Sequence, residues 1–300
     1  MKLSPKIILP CLLALACLVA ALAPSPAFAA NDKAKEFFNQ GVTAEKAGKI
    51  DEAIVAYKGA ITADASYTEA YMNLGALYFQ KNQLDDAAKT FQTATEKDPK
   101  NVEAFANLGR VQYKTHKYVE AEAAYKTAVS LNPSDAGLHK ELAKVYFDKA
   151  SYPEAITELE ACHKAGGGDT LTYYMLGKSY EKESKPTDAI AAYEKSNSIK
   201  DNYRADYGLG IIYLNQENFA EAAKAFKAAL KAEPKGYLAA YNYAIAVESQ
   251  NKDAIDQNIA NWQEFIRLAK NNPKAKNDVA IAEAHVKDLK DSKTAKGSGN

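Results

Sequence analysis

Three basic residues recur along this chain at a spacing of 34: Arg110, Lys144 and Lys178. Lys114, Lys140 and Lys182 lie close to them in sequence, and Tyr113, Phe147 and Tyr174 are interleaved. Ammonium and guanidinium groups next to aromatic rings suit an extended peptide. The cations would take its carboxylates in charge-assisted hydrogen bonds, and the rings would take its apolar side chains. The competing reading is a solvated helix face, because Glu103, Asp148 and Glu181 share that face and could neutralise it locally. On either side of the basic stretch the same face turns apolar, with Phe38, Val42, Met72, Ala76 and Phe79 before it and Tyr207, Ile211, Leu214, Tyr241 and Ile245 after it.

Other chemistry finds no matching pattern. His116, His139, His163 and His285 lack the i, i+4 spacing to a second His or Cys that a helical metal site needs, so no metal or other cofactor is expected. Cys162 reads as a buried structural thiol. Gly166-Gly167-Gly168 lacks the Lys-Ser/Thr of a phosphate loop and reads as a joint. There is no serine nucleophile elbow and no pair of carboxylates suited to acid–base work, so the chain is not expected to be an enzyme. With 38 basic and 38 acidic residues the net charge is zero, which argues against a general affinity for nucleic acid or anionic membrane.

The elements that position these residues follow from the 34-residue period. Copies begin at Ala34, Thr68, Val102, Ala136, Thr170 and Tyr203, the fifth being one residue short. Position 8 is Gly41, Gly75, Gly109, Ala143, Gly177 and Gly210. Position 20 is Ala53, Ala87, Ala121, Ala155, Ala189 and Ala222, and position 27 is Ala60, Ala94, Ala128, Cys162, Ser196 and Ala229. Glycine inside a helix costs about 1 kcal/mol relative to alanine. Its recurrence implies two helices per copy that cross where neither can carry bulk. Position 24 fills the adjoining space with Tyr57, Phe91, Tyr125, Leu159, Tyr193 and Phe226. Pro99, Pro133 and Pro234 at position 32 stop the second helix.

Several independent positions in register make the segment Ala34 to Pro273 resemble the tetratricopeptide repeat (TPR) family, in a bacterial exported form. Departures are Gln112 at position 11 of the third copy, with Tyr113 beside it, and His139 in place of an aromatic at position 4 of the fourth. The resemblance implies an all-α fold. It would be an α-solenoid of six to seven helix pairs, a right-handed superhelix with a concave groove lined by first helices. A wheel at about 100° per residue puts positions 4, 7, 8 and 11 on a packing side and positions 2, 5, 9, 12 and 13 toward the groove. The resemblance also implies that Asn73, Asn107 and Asn242 at position 6 bond a ligand backbone. The family's carboxylate-clamp residue set is not present in any three consecutive copies.

A seventh copy starts near 237 but loses register, since Asp256 falls where alanine belongs. Residues 274–290 read as a capping helix with Val279, Ala282, Val286 and Leu289 on one face, and 291–300 as a disordered tail. Residues 1–29 read as a signal peptide: Lys2 and Lys6, an apolar run, then Ala27-Phe28-Ala29 as a cleavage site. Lipidation at Cys17 and an uncleaved anchor are the alternatives. Without Lys2 and Lys6 the charge is 36 basic against 38 acidic residues, a net of −2. The expected protein is an exported, periplasmic or secreted scaffold, with no membrane span in its mature form. It would hold a protein or extended peptide, an acidic one if the basic row engages it. The rival expectation is a carbohydrate or peptidoglycan binder that stacks sugars on Tyr174 and Tyr207.

Overall fold

The computed structural model describes residues 26–297, with side chains over 31–295. The leader through residue 25, including Cys17, lies outside the described residues, as do the side chains of the cleavage motif. Among the described residues there are fifteen α-helices, one 3-10 turn at Pro273–Ala275 and no strand. The chain divides into two compact units between Leu131 and Asn132.

The first unit holds three antiparallel pairs: α1 (Pro26–Lys46) with α2 (Ile50–Ala63), α3 (Thr68–Gln80) with α4 (Leu84–Lys97), and α5 (Val102–Lys114) with α6 (Tyr118–Leu131). The second holds four: α7 (Ala136–Asp148) with α8 (Tyr152–Lys164), α9 (Thr170–Lys182) with α10 (Pro186–Ile199), α11 (Tyr203–Asn215) with α12 (Phe219–Ala232), and α13 (Tyr237–Gln250) with α14 (Ile255–Ala269). A last helix, α15 (Lys276–Gly297), packs on α14.

The small and large positions behave as their spacing predicts. Every position 20 and 27 side chain is buried, and so are the six at position 24. A Cβ built on Gly41, Gly75, Gly109, Gly177 or Gly210 would lie 2.5–2.9 Å from the position 24 ring of the same pair. Glycine is therefore required by contact with the ring. Where position 8 is Ala143, position 24 narrows to Leu159.

A second regularity joins the two helices of each pair. Position 15 has a left-handed backbone in six pairs: Gly48 (φ 74°), Asn82 (59°), His116 (58°), Ala150 (58°), Ser184 (57°) and Glu217 (58°). The following residue then bonds back five places, as in Lys49 N to Ala44 O at 2.9 Å and Ser151 N to Tyr146 O at 2.9 Å. This is a Schellman closure, which normally favours glycine. Ala150 has neither glycine's freedom nor a side chain that bonds locally. Ala150→Gly is expected to raise stability by roughly 0.5–1 kcal/mol, the relief of left-handed strain less the added chain entropy. An unchanged or lower urea midpoint would count against it.

The seventh pair departs by two residues. Its connection, Asn251–Ala254, is one residue longer than the other three-residue joints, and α13 is one residue longer than α11. Counted from the start of α14, Asn258 takes the place of the recurrent alanine and Trp262 that of the large residue. Asn258 is fully buried and donates to the Asn251 carbonyl at 3.0 Å, which ties down the longer loop. Trp262 and Phe265 are then covered by Ala282 and Val286 of α15, with Val279 and Leu289 half-buried at the edge. The helix does not stop at 290. It continues to Gly297 through most of the stretch expected to be disordered, and Lys293 reaches Asp256 of α14.

Candidate interaction surface

The expected basic row is divided between the units. Arg110 lies on α5 in the first, and Lys144 and Lys178 lie on α7 and α9 in the second.

In the first unit Arg110 is exposed and makes no ion pair among the described residues. Lys114 places its ammonium 4.7 Å from the centre of the Phe79 ring. Tyr113 packs against Tyr118 of α6, ring centres 5.8 Å apart. Asn107 is half-buried. Asn73 donates to the Tyr57 hydroxyl at 3.1 Å, so this amide is engaged inside the fold.

In the second unit the first helices α7, α9, α11 and α13 touch in succession and form one layer. Three of its lysines are already neutralised. Lys144 pairs with Glu141 at 2.8 Å and Lys178 with Glu181 at 2.6 Å, each one turn away on its own helix. Lys140 pairs at 2.5 Å with Asp169, which also caps α9 by accepting from the Thr172 amide. The bond to Asp169 holds the Lys140 ammonium above the usual lysine range. A ligand carboxylate would have to displace an existing partner at each of these sites, so little charge energy is gained there. Lys182 is exposed and makes no ion pair among the described residues.

The aromatic groups are engaged as well. Phe147 stands edge-on to Tyr152 at 6.0 Å. Tyr174 lies 6.1 Å from Tyr193, and the Arg204 guanidinium sits 5.9 Å from its ring centre. Tyr207 stacks on Tyr203 at 5.9 Å and meets the edge of Phe226 at 5.7 Å. Its hydroxyl accepts from Asn242 at 3.1 Å, so that amide too has an internal partner. Burial pushes the Tyr207 hydroxyl up, against the pull of Asn242 and Lys178.

Position 12, expected to face a groove, turns inward instead. Glu45 accepts from the Tyr57 hydroxyl at 2.7 Å, Glu181 from Tyr193 at 2.8 Å and Glu248 from the Trp262 indole at 2.7 Å. Where position 24 has no polar tip (Phe91, Leu159, Phe226), position 12 is apolar: Phe79, Phe147 and Leu214. These glutamates satisfy buried ring-tip groups, which costs less than leaving them unpaired.

One feature of the second unit was missed in the sequence. A cleft of about 460 Å³ opens between α9 and α11, lined by Leu171, Tyr174, Lys200, Asp201, Tyr203, Arg204 and Glu233, so that it carries both signs of charge. Leu171 is 42% exposed, which is high for a leucine beside a cation. Leu171 and Arg204 both hold position 2, a position the wheel assigns to the binding face, so the signal was present.

His139 is buried in the aromatic slot of its copy. It meets Glu158 at 2.6 Å and the Pro133 carbonyl at 3.0 Å. Burial opposes its charge, but those two partners prevail and hold it above the ordinary histidine value. Cys162 is fully buried as expected, and burial pushes its thiol up. Among the described residues no three His, Cys, Asp or Glu side chains are grouped to hold a metal, and no helix is long and apolar enough to cross a membrane.

Family models described as "Tetratricopeptide repeat" match residues 44–111, 102–135, 171–203 and 207–254. No curated protein matches. Solved structures are similar in fold. One is the C-terminal part of a TPR repeat-containing protein from Cytophaga hutchinsonii. It is 18% identical with a TM-score of 0.63, over 80% of this chain and 98% of that one. Another is YrrB, described as a TPR protein with an unusual peptide-binding site. It is 21% identical with a TM-score of 0.55, over 67% of this chain and 99% of its own. A third is MamA, 24% identical with a TM-score of 0.53, over 56% of this chain and 92% of its own.

Proposed function

Because the chain belongs to the tetratricopeptide repeat family, we propose that it is a non-catalytic scaffold. It holds a protein or extended peptide on the first-helix layer of its second unit. The observation that carries this reading is the cleft where the exposed Leu171, the Tyr174 ring and the Arg204 guanidinium come together. An apolar seat beside a cation fits a peptide with an apolar side chain next to a carboxylate. The description of YrrB as peptide-binding supports the same class of ligand. Export to the envelope, and a role in assembly there, rest on the leader sequence of residues 1–29. Sugar stacking is disfavoured because Arg204 lies against Tyr174, and Tyr203 and Phe226 take up much of Tyr207.

The test is crosslinked capture from native envelope extract by three chains in parallel. They are the wild type, a Lys182→Glu/Arg204→Glu variant and a Lys144→Glu/Lys178→Glu variant. The first variant is expected to lose a captured protein that wild type retains. The second should keep most of it, since its lysines are committed to Glu141 and Glu181. Equal capture by wild type and the Lys182/Arg204 variant would move the site off this layer.

A further inference from the structure

Asp206 breaks the repeat pattern. It holds position 4 of the sixth copy, where the first five place Phe37, Tyr71, Phe105, His139 and Tyr173. Its side chain is buried, only 8% exposed. Its one hydrogen bond comes from the Asn197 amide nitrogen of α10, at 2.7 Å. The other end of that amide, Asn197 Oδ1, is buried and has no hydrogen-bond donor. An ionised carboxylate offers only acceptors, so it cannot satisfy this oxygen. A protonated carboxyl can, because it gains one O–H donor.

We propose that Asp206 and Asn197 form a proton-operated latch between α10 and α11. In the ionised state one bond joins them, Asn197 Nδ2–H to Asp206 Oδ1. Uptake of one proton from solvent forms an O–H on the second carboxyl oxygen. That O–H donates to Asn197 Oδ1 and closes a two-bond acid–amide pair. No other bond is made or broken, and one buried negative charge is removed.

The surroundings favour this. Burial is the main influence on Asp206 and raises its pKa to about 6, and the nearby Asp201 carboxylate pushes the same way. Asn197 and Lys231 pull it down. Lys231 of α12 is itself shared with Asp201 at 3.7 Å. α10 contributes only the uncharged Asn197 and Ser196 here, and among the described residues α9 and α13 bring no charge to act on the carboxyl. The latch sits in a knot of polar contacts that joins two pairs. Ser196 donates to the Thr170 carbonyl at 2.8 Å, and Asn202 donates to Ser196 at 3.2 Å. Asn202, Tyr203 and Arg204, the start of α11, also line the Leu171 cleft. Proton uptake therefore firms the wall of that cleft.

The sign is opposite to that of a salt-bridged aspartate. The folded chain binds this proton more tightly than the unfolded chain. The stability it adds is complete below the unfolded value near 3.8 and is lost as pH rises through about 6. Between pH 7.5 and 5 the opening equilibrium should shift roughly tenfold toward the folded state.

The test uses the full chain. Urea unfolding at pH 7.5 and 5.0 compares wild type with Asp206→Asn, which keeps an amide-to-amide pair and has no charge. The variant should be the more stable at pH 7.5, with the gap closing by about tenfold at pH 5.0. Comparing the two chains cancels His139, whose raised pKa has the same sign. An equal gap at both pH values would overturn the proposal. Carbon-13 titration of wild type needs no variant. Asp206 Cγ should titrate near pH 6, and the Asn197 side-chain carbonyl carbon should move with the same midpoint. A carboxyl that titrates in the ordinary aspartate range, or an Asn197 carbon that does not move, would remove the latch.

Discussion

Gly210→Leu is expected to unfold the sixth helix pair, with a loss of about 4 kcal/mol or more. A Cβ on Gly210 would lie 2.5 Å from Cε1 and 2.6 Å from Cδ1 of Phe226, a fully buried ring with no room to retreat. Alanine at the same place is the more informative change, because two terms oppose. Helix propensity gains about 1 kcal/mol, while overpacking costs roughly 1–3 kcal/mol. The expected net is a loss of up to about 2 kcal/mol. The chain already holds the compensated form, since Ala143 faces Leu159 in the fourth pair. Adding Phe226→Leu to Gly210→Ala should therefore recover about 1–2 kcal/mol relative to the sum of the single changes. Additive urea midpoints in that cycle would show that glycine is kept for some reason other than the ring.

How the sequence relates to the fold can be judged from these same residues. Positions 8, 20, 24 and 27 were legible because a close crossing admits only small-against-large combinations. A constraint repeated six times stands out against positions that vary freely. The left-handed position 15 was not legible. Gly, Asn, His, Ala, Ser and Glu all occupy it, because the closing hydrogen bonds belong to the backbone. The seventh pair was legible as a loss of register at Asp256. Its size was not, because the two-residue shift is shared between a longer helix and a longer loop.

The binding face was harder to read, for an electrostatic reason. A spacing of 34 aligns Arg110, Lys144 and Lys178, but it gives no information on what neutralises them. Glu181 was visible as a neighbour on the same face. Glu141 is an equally regular i, i−3 partner of Lys144 and was passed over. Asn73 and Asn242 match the family at position 6, yet here they hold the hydroxyls of Tyr57 and Tyr207. Asp206 was the clearest missed signal, a carboxylate in a slot that takes rings in the first five copies.

Ending the chain at Asn272, which removes α15, is expected to destabilise the second unit by at least about 3 kcal/mol. Helix pairs of this kind bury their apolar faces only against neighbours, so the last pair depends on what covers it. Here Ala282 and Val286 are buried against Ile259, Trp262 and Phe265, with Val279 and Leu289 alongside. Covering aliphatic side chains of this size contributes about 1.5–3 kcal/mol each when burial is complete. His285 also reaches the Glu248 carboxylate at 2.9 Å, beside the bond from the Trp262 indole to the same group. Truncation thus removes apolar cover from Trp262 and removes His285 from the carboxylate that accepts the indole's hydrogen bond. Trp262 is the only tryptophan in the chain, so its emission reports on the cap directly. The shortened chain should emit at longer wavelength and unfold at lower urea, and Val286→Asp in the full chain should move both in the same direction. Unchanged emission in the shortened chain would mean that Trp262 is sheltered by α13 and α14 alone, and α15 would then be an appendage and not a cap.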